Sequence, residues 1–190
     1  TYVPDDNFEQ ALIDLGYDNI LDDYVNTASI DTITNLIMES KDISDLTGIE
    51  DFTALEKLNV YNFGGTDYTS LTMNLSYNTN LSWLNCGNNA ITSLDLSQNT
   101  NLWYLYCINN QLTSLDLSQN TNLSFLSCTG NDLLSSLDLS NNPWLRNLYL
   151  GGNFSNIDLS NNTKLYQLGV YNDVMTSVDI SNCPDFFLST

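Results

Sequence analysis

Five segments of this chain are near copies of one another. They begin at Leu81, Leu102, Leu123, Leu145 and Leu165, so their starts lie 21, 21, 22 and 20 residues apart. The first reads LSWLNCGNNAITSLDLSQNTN and the second LWYLYCINNQLTSLDLSQNTN. Their shared core is L-x-x-L-x-[LCV]-x-x-[ND], followed by L-D-L-S or an Ile or Val variant of it. A period of this length means a chain wound into a coil whose turns bury apolar residues against their neighbours. No other feature restricts the fold so strongly.

Two looser copies come first. Ile33 to Ile43 reads ITNLIMESKDI, and Leu55 to Val60 reads LEKLNV. Extra residues around Asn62 to Ser70, among them Gly64 and Gly65, predict a loop bulging from the coil. An eighth turn begins at Phe186-Phe187-Leu188. That apolar, uncapped end predicts a solenoid that continues past Thr190 or associates end to end. About seven turns stacked ~4.8 Å apart would span roughly 30 Å.

Each period carries two strand signals. The first holds triplets such as Leu84-Asn85-Cys86 and Leu148-Tyr149-Leu150, whose alternation sends the outer two residues inward. The second is the L-D-L triplet. Most solenoids of this period place a helix on that second side. Here only about a dozen residues separate successive first strands, and they combine L-D-L alternation with S-x-N turn chemistry. The expected fold is therefore a right-handed, mostly β leucine-rich-repeat solenoid with parallel sheets on both faces. Residues 31–190 form the repeats and residues 1–30 a short helical N-terminal cap. In that cap Asp6 and Glu9 have capping-box spacing, Phe8, Leu12 and Leu15 share one helical face, and Gly16 ends the helix.

Stacking turns every repeat position into a ladder of side chains. Cys86, Cys107 and Cys128 share an inward position, where free Cys packs as a small hydrophobe and in-register neighbours make poor disulfides. Cys183 falls on the opposite side, at a position held elsewhere by Asn. Asn89, Asn110, Asn131 and Asn153, with Asp173 last, predict one ladder that satisfies turn backbone. Asn78, Asn99, Asn120, Asn142 and Asn162 predict a second. Asp95, Asp116, Asp138, Asp158 and Asp179 should form a row of outward carboxylates, either a solvated face or a weak calcium site. A second oxygen cluster, Asp18, Asn19, Asp22 and Asp23, lies in the cap without EF-hand spacing.

The outward positions of the first sheet are the most informative. Aromatic residues take roughly a third of them, at Tyr61, Trp83, Tyr104, Tyr106, Phe125, Tyr149 and Tyr171, against 11% of the whole chain. Cross-strand packing would explain part of this excess, and a ligand-binding surface would explain it as well. Composition removes most chemistry. With 23 Asp and Glu, 4 Lys and Arg and no His, Ser-His-Asp, Cys-His and His-zinc systems are absent. A net charge of −19 repels phosphate backbones and anionic headgroups, so neither nucleic acid nor a membrane is an expected partner. No apolar run reaches membrane-spanning length.

The repeats LxxLxCxxNxLTSLDLSxNT resemble those of secreted bacterial leucine-rich-repeat proteins. The opening YVPDDNFEQALIDLGYD resembles the N-terminal module in front of such repeats, and ISDLTGIEDFTAL is similar to an internalin-type turn. The resemblance implies export to the cell surface or medium, often with a C-terminal sorting domain. It carries over no binding residues, because members of the group share no single ligand. The expected function is non-enzymatic: a recognition module binding protein or glycan on the concave sheet, with no cofactor unless calcium is bound. A spacer within a larger adhesin is the alternative. A carbohydrate-active enzyme would need paired carboxylates in a cleft, and the outward sites of the first sheet offer only Glu39.

Overall fold

A computed structural model describes residues 1–63, 70–171 and 174–186. The expectations placed on Gly64, Gly65, Asp173, Phe187 and Leu188 lie outside these residues. After the helices α1 (Asp6–Asp14) and α2 (Thr27–Ile30) come the strands β1 (Asn35–Ile37), β2 (Lys57–Asn59), β3 (Trp83–Asn85), β4 (Tyr104–Tyr106), β5 (Phe125–Ser127), β6 (Asn147–Leu150) and β7 (Gln167–Val170). The strands form a seven-stranded parallel sheet in chain order. This is the leucine-rich-repeat coil that the period demands.

One residue per turn sets the register. Leu36, Leu58, Leu84, Leu105, Leu126, Leu148 and Leu168 pair in succession across all seven strands. The first six are wholly buried. They form a continuous core with the leucines that open each repeat and with Cys86, Cys107 and Cys128. Removing a side chain from this spine, as in Leu126→Ala, typically costs about 2–5 kcal/mol.

The second sheet does not form. Among the described residues the L-D-L segments are not strands, and a single parallel bridge, Asp45 to Thr72, lies outside the named strands of the coil. The reason is local competition. Each ladder Asp accepts a hydrogen bond at Oδ1 from the backbone N–H of the Ser two residues on: Ser97 to Asp95, Ser118 to Asp116, Ser140 to Asp138, Ser160 to Asp158 and Ser181 to Asp179, all at 2.9 Å. Asn74 does the same for Ser76 at 3.2 Å. These Asx turns take an N–H that a strand would have offered its neighbour and bend the chain into the next turn.

Buried Asn side chains then tie turn to turn. Asn120 Nδ2 donates to Leu96 O at 3.1 Å and Asn99 O at 2.9 Å, and Asn78, Asn99, Asn142 and Asn162 each donate to two carbonyls of the turn before. Cys183 ends this row, its Sγ 3.6 Å from Asn162 O. The other ladder holds at Asn89, Asn110 and Asn131, whose amides donate to the carbonyls of Cys86, Cys107 and Cys128. It stops there, because Asn153 is exposed.

The cap departs from expectation at three residues, Asp6, Glu9 and Leu15. Asp5, not Asp6, caps α1, accepting from Asn7 N and Phe8 N. Glu9 is fully buried and reaches away from the start of α1 to the amides of Asp22, Asp23 and Tyr24. Phe8 and Leu12 face the core, whereas Leu15 is 43% exposed beyond the last turn. The Phe8 ring packs on Phe52 of the first repeat, with centroids 6.3 Å apart. Gly48 sits at φ 102°, and a Cβ there would lie 2.7 Å from Tyr2 O, so only glycine lets the cap come this close.

Candidate functional site: the aromatic face of the sheet

Residues on either side of the buried leucines point out of the sheet. Trp83, Tyr104 and Phe125 are in register on β3, β4 and β5. Their rings stack face to face, Trp83 on Tyr104 at 4.9 Å and Tyr104 on Phe125 at 4.3 Å, both at an interplanar angle of 11°. Offset stacks of this kind add about 0.5–1.5 kcal/mol per pair beyond area burial. The rings remain half-buried, so stacking leaves a continuous apolar edge facing solvent.

A second row runs beside the first. Tyr106 lies 6.5 Å from Phe125, and Tyr149 lies 5.7 Å from it at 45°. Tyr61 meets Tyr106 at 6.2 Å and lies over Gly87, where a Cβ would come within 2.9 Å of its ring. The space that Gly87 would leave beside the aromatics is therefore filled by Tyr61. Gly169 plays the same part between Tyr149 and Tyr171. Tyr171 is 66% exposed and completes a hollow of about 350 Å³ lined by Tyr106, Phe125, Ser127, Thr129, Tyr149 and Tyr171. All seven outward aromatics thus belong to one face.

Two neighbours escaped the period-two reading. Trp103 packs edge-on against Tyr104 at 5.7 Å, and Phe63 packs edge-on against Tyr61 at 4.6 Å. Neither occupies an outward strand position, so only their nearness in sequence to Tyr104 and Tyr61, one and two residues away, hinted at them. The strip ends at Asn147 and Gln167, which follow Phe125 in register and bond to each other at 3.0 Å.

The tyrosines at the centre of this face are uncharged. Burial pushes the Tyr104 hydroxyl above its ordinary value, and the nearby Tyr106 and Tyr149 add to the shift. Tyr106 is raised by burial and then by Tyr61. Both hydroxyls stay protonated at neutral pH, able to donate and accept. Glu39, the acid on the outward face, accepts from Asn59 Nδ2 at 2.6 Å.

The Asp row is exposed. The Ser118 amide and side chain hold the Asp116 carboxyl below its usual value, outweighing repulsion from Asp138 and Asp95. Like charges here lose to hydrogen bonds because solvent screens them. Among the described residues no three Cys, Asp or Glu side chains come close enough together to hold a metal ion. The four Cys are free and buried, and burial pushes the thiols of Cys86 and Cys128 up to about 12. No helix among the described residues is long and apolar enough to cross a membrane.

Comparison with protein-family profiles and with curated proteins finds no match. Solved structures do match. An internalin, InlF, from Listeria monocytogenes is 27% identical with a TM-score of 0.82 over 97% of this chain. The functional domain of InlJ from the same organism, which includes a cysteine ladder, is 28% identical with a TM-score of 0.61, again over 97%. The chain spans 55% of the first and 49% of the second. The leucine-rich-repeat protein LIC12759 from Leptospira interrogans, at 19% identity and a TM-score of 0.69, shares the fold. The chain is thus similar to internalins over nearly its whole length.

Proposed function

We propose that this internalin-like solenoid is a recognition module, exported to the cell surface or medium, that binds a protein partner on the outward face of its sheet. The stacked Trp83-Tyr104-Phe125 strip carries the reading. It is a continuous stack of three half-exposed rings, with Tyr106 and Tyr149 beside it. Aromatic anchors of this kind dominate protein interfaces, because they bury large areas at low entropic cost. The absence of His from the sequence and the rarity of cations leave little chemistry for catalysis. A glycan is the second reading, favoured by the hollow at Tyr106, where the Phe125 ring adjoins the hydroxyls of Ser127, Thr129 and Tyr149.

The test is binding of the purified chain to arrayed extracellular proteins and glycans, repeated with the Trp83→Ala, Tyr104→Ala double variant. Losing two anchors should weaken a true ligand at least about tenfold, at roughly 2 kcal/mol for a hot-spot residue. Asp116→Asn, on the opposite side of the coil, should leave it unchanged. A folded double variant that binds as tightly as the parent would place the ligand elsewhere. Complete absence of a ligand would leave the chain a spacer.

A further inference from the structure

The chain has four cationic side chains against 23 acids. Their placement is uneven. Lys41 is bonded to Asp14 of the cap at 2.7 Å, and Lys57 stands on β2 in register with Trp83. The other two, Arg146 and Lys164, precede β6 and β7 and line one open hollow of about 620 Å³ with Asn147, Tyr166 and Asp185. Neither Arg146 nor Lys164 has an ion-pair partner among the described residues. Asp185 shares the rim yet lies beyond ion-pair distance of both, so the hollow keeps a local excess of positive charge.

We infer that this hollow is an anion subsite, and that it seats a carboxylate side chain of an acidic peptide segment in the protein partner. The inference rests on the proposed binding face and extends it. The hollow adjoins that face directly, because Asn147 follows Phe125 in register, one strand spacing of ~4.8 Å away. A partner laid along the aromatic strip and on past Asn147 comes to Arg146 and Lys164, just ahead of β6 and β7.

Long-range repulsion by the acidic chain opposes such a ligand, yet it fades over about 8 Å at physiological ionic strength. At contact, the guanidinium and ammonium in the hollow dominate. An Arg fork bonding a carboxylate in two places gives the strongest and most directional of these contacts. Tyr166 lines the same hollow and offers the partner an apolar wall beside the two cations. An isolated surface cation would be an ordinary solvated charge. Half of a chain's cations converging on one hollow, in a protein this acidic, is not.

The probe is the peptide Ac-Tyr-Glu-Glu-NH2, with Ac-Tyr-Gln-Gln-NH2 as its neutral counterpart. Binding is followed by NMR on the side-chain nitrogens of Arg146 and Lys164 in the full chain at physiological salt. The acidic peptide should shift both signals saturably and bind at least fivefold more tightly than the neutral one. Arg146→Gln with Lys164→Gln should erase that preference with the melting temperature unchanged, since both side chains are exposed. Equal binding of the two peptides, or no saturable shift at Arg146, overturns the subsite. The Trp83→Ala, Tyr104→Ala variant separates the two proposals. It should still show the acidic peptide's shift at Arg146 even if no macromolecular ligand of the strip is found.

Discussion

The Asp5 carboxylate grips Ser44 from 39 residues away, accepting from its backbone N–H at 2.8 Å and its hydroxyl at 2.7 Å. The same oxygen accepts from Asp45 N, while the other caps α1. One side chain therefore both starts the cap helix and fastens the cap to the first repeat. Asp5→Ala should destabilise the protein by about 1–3 kcal/mol, as a lost N-cap together with lost charge-assisted bonds. Burial raises the Asp5 carboxyl, but the Ser44 hydroxyl and the amides of Ser44, Phe8 and Asp45 together bring it below the ordinary value. A depressed folded value means this contribution is present above the ordinary carboxylate range and is lost as pH falls through the depressed value. The melting-temperature gap between parent and Asp5→Asn should accordingly be wide at pH 7 and narrow as the pH falls below the ordinary carboxylate range. A gap independent of pH would show that the carboxylate's charge plays no part.

Asn120 and Asn153 make opposite predictions although they are residues of the same type in matching rows. Asn120→Ala takes one of two donors from each of the buried carbonyls of Leu96 and Asn99, which keep the amides of Asn99 and Leu102, so each lost bond costs about 0.5–1.5 kcal/mol. Urea unfolding should show a drop of about 1–3 kcal/mol for the two bonds together. Asn153→Ala, at the exposed end of the other row, should stay within about 0.5 kcal/mol of the parent.

The buried cysteines should be chemically silent. With Cys86 and Cys128 pushed up to about 12 and Cys107 also raised by burial, the thiolate fraction at pH 8 is minute. A disulfide reagent should leave all three unmodified in the folded protein and titrate them fully in guanidinium. Rapid native-state labelling at any of the three would contradict their place in the spine.

Calcium binding by the Asp row has a direct test. If ions bridge adjacent turns, millimolar calcium raises the melting temperature beyond sodium at equal ionic strength, through preferential binding to the folded state. Asp116→Asn with Asp138→Asn removes that excess. Equal shifts from both salts reduce the row to a set of turn caps.

Much of the molecule was legible in its residues. The period placed every strand, and alternation marked Leu84, Leu105 and Leu126 as buried and Trp83, Tyr104 and Phe125 as outward. The L-D-L triplet misled because its alternation is also what an Asx turn produces. Asp95 points outward in either case, and what differs is whether the Ser97 amide bonds its own turn or the next. Asn153 misled for a related reason, since its place in the repeat matches Asn131 while the turn around it leaves it exposed.

The sequence by itself determined the coil, its register and the rows of identical side chains, because each depends on spacing along one chain. Tertiary structure alone decided that Trp83, Tyr104 and Phe125 stack within 5 Å in near-parallel planes. It also decided that Tyr61 fills the gap at Gly87 and that Arg146 and Lys164 share a hollow. These depend on ring tilt and on contacts between successive turns, which packing settles and a one-dimensional pattern does not contain.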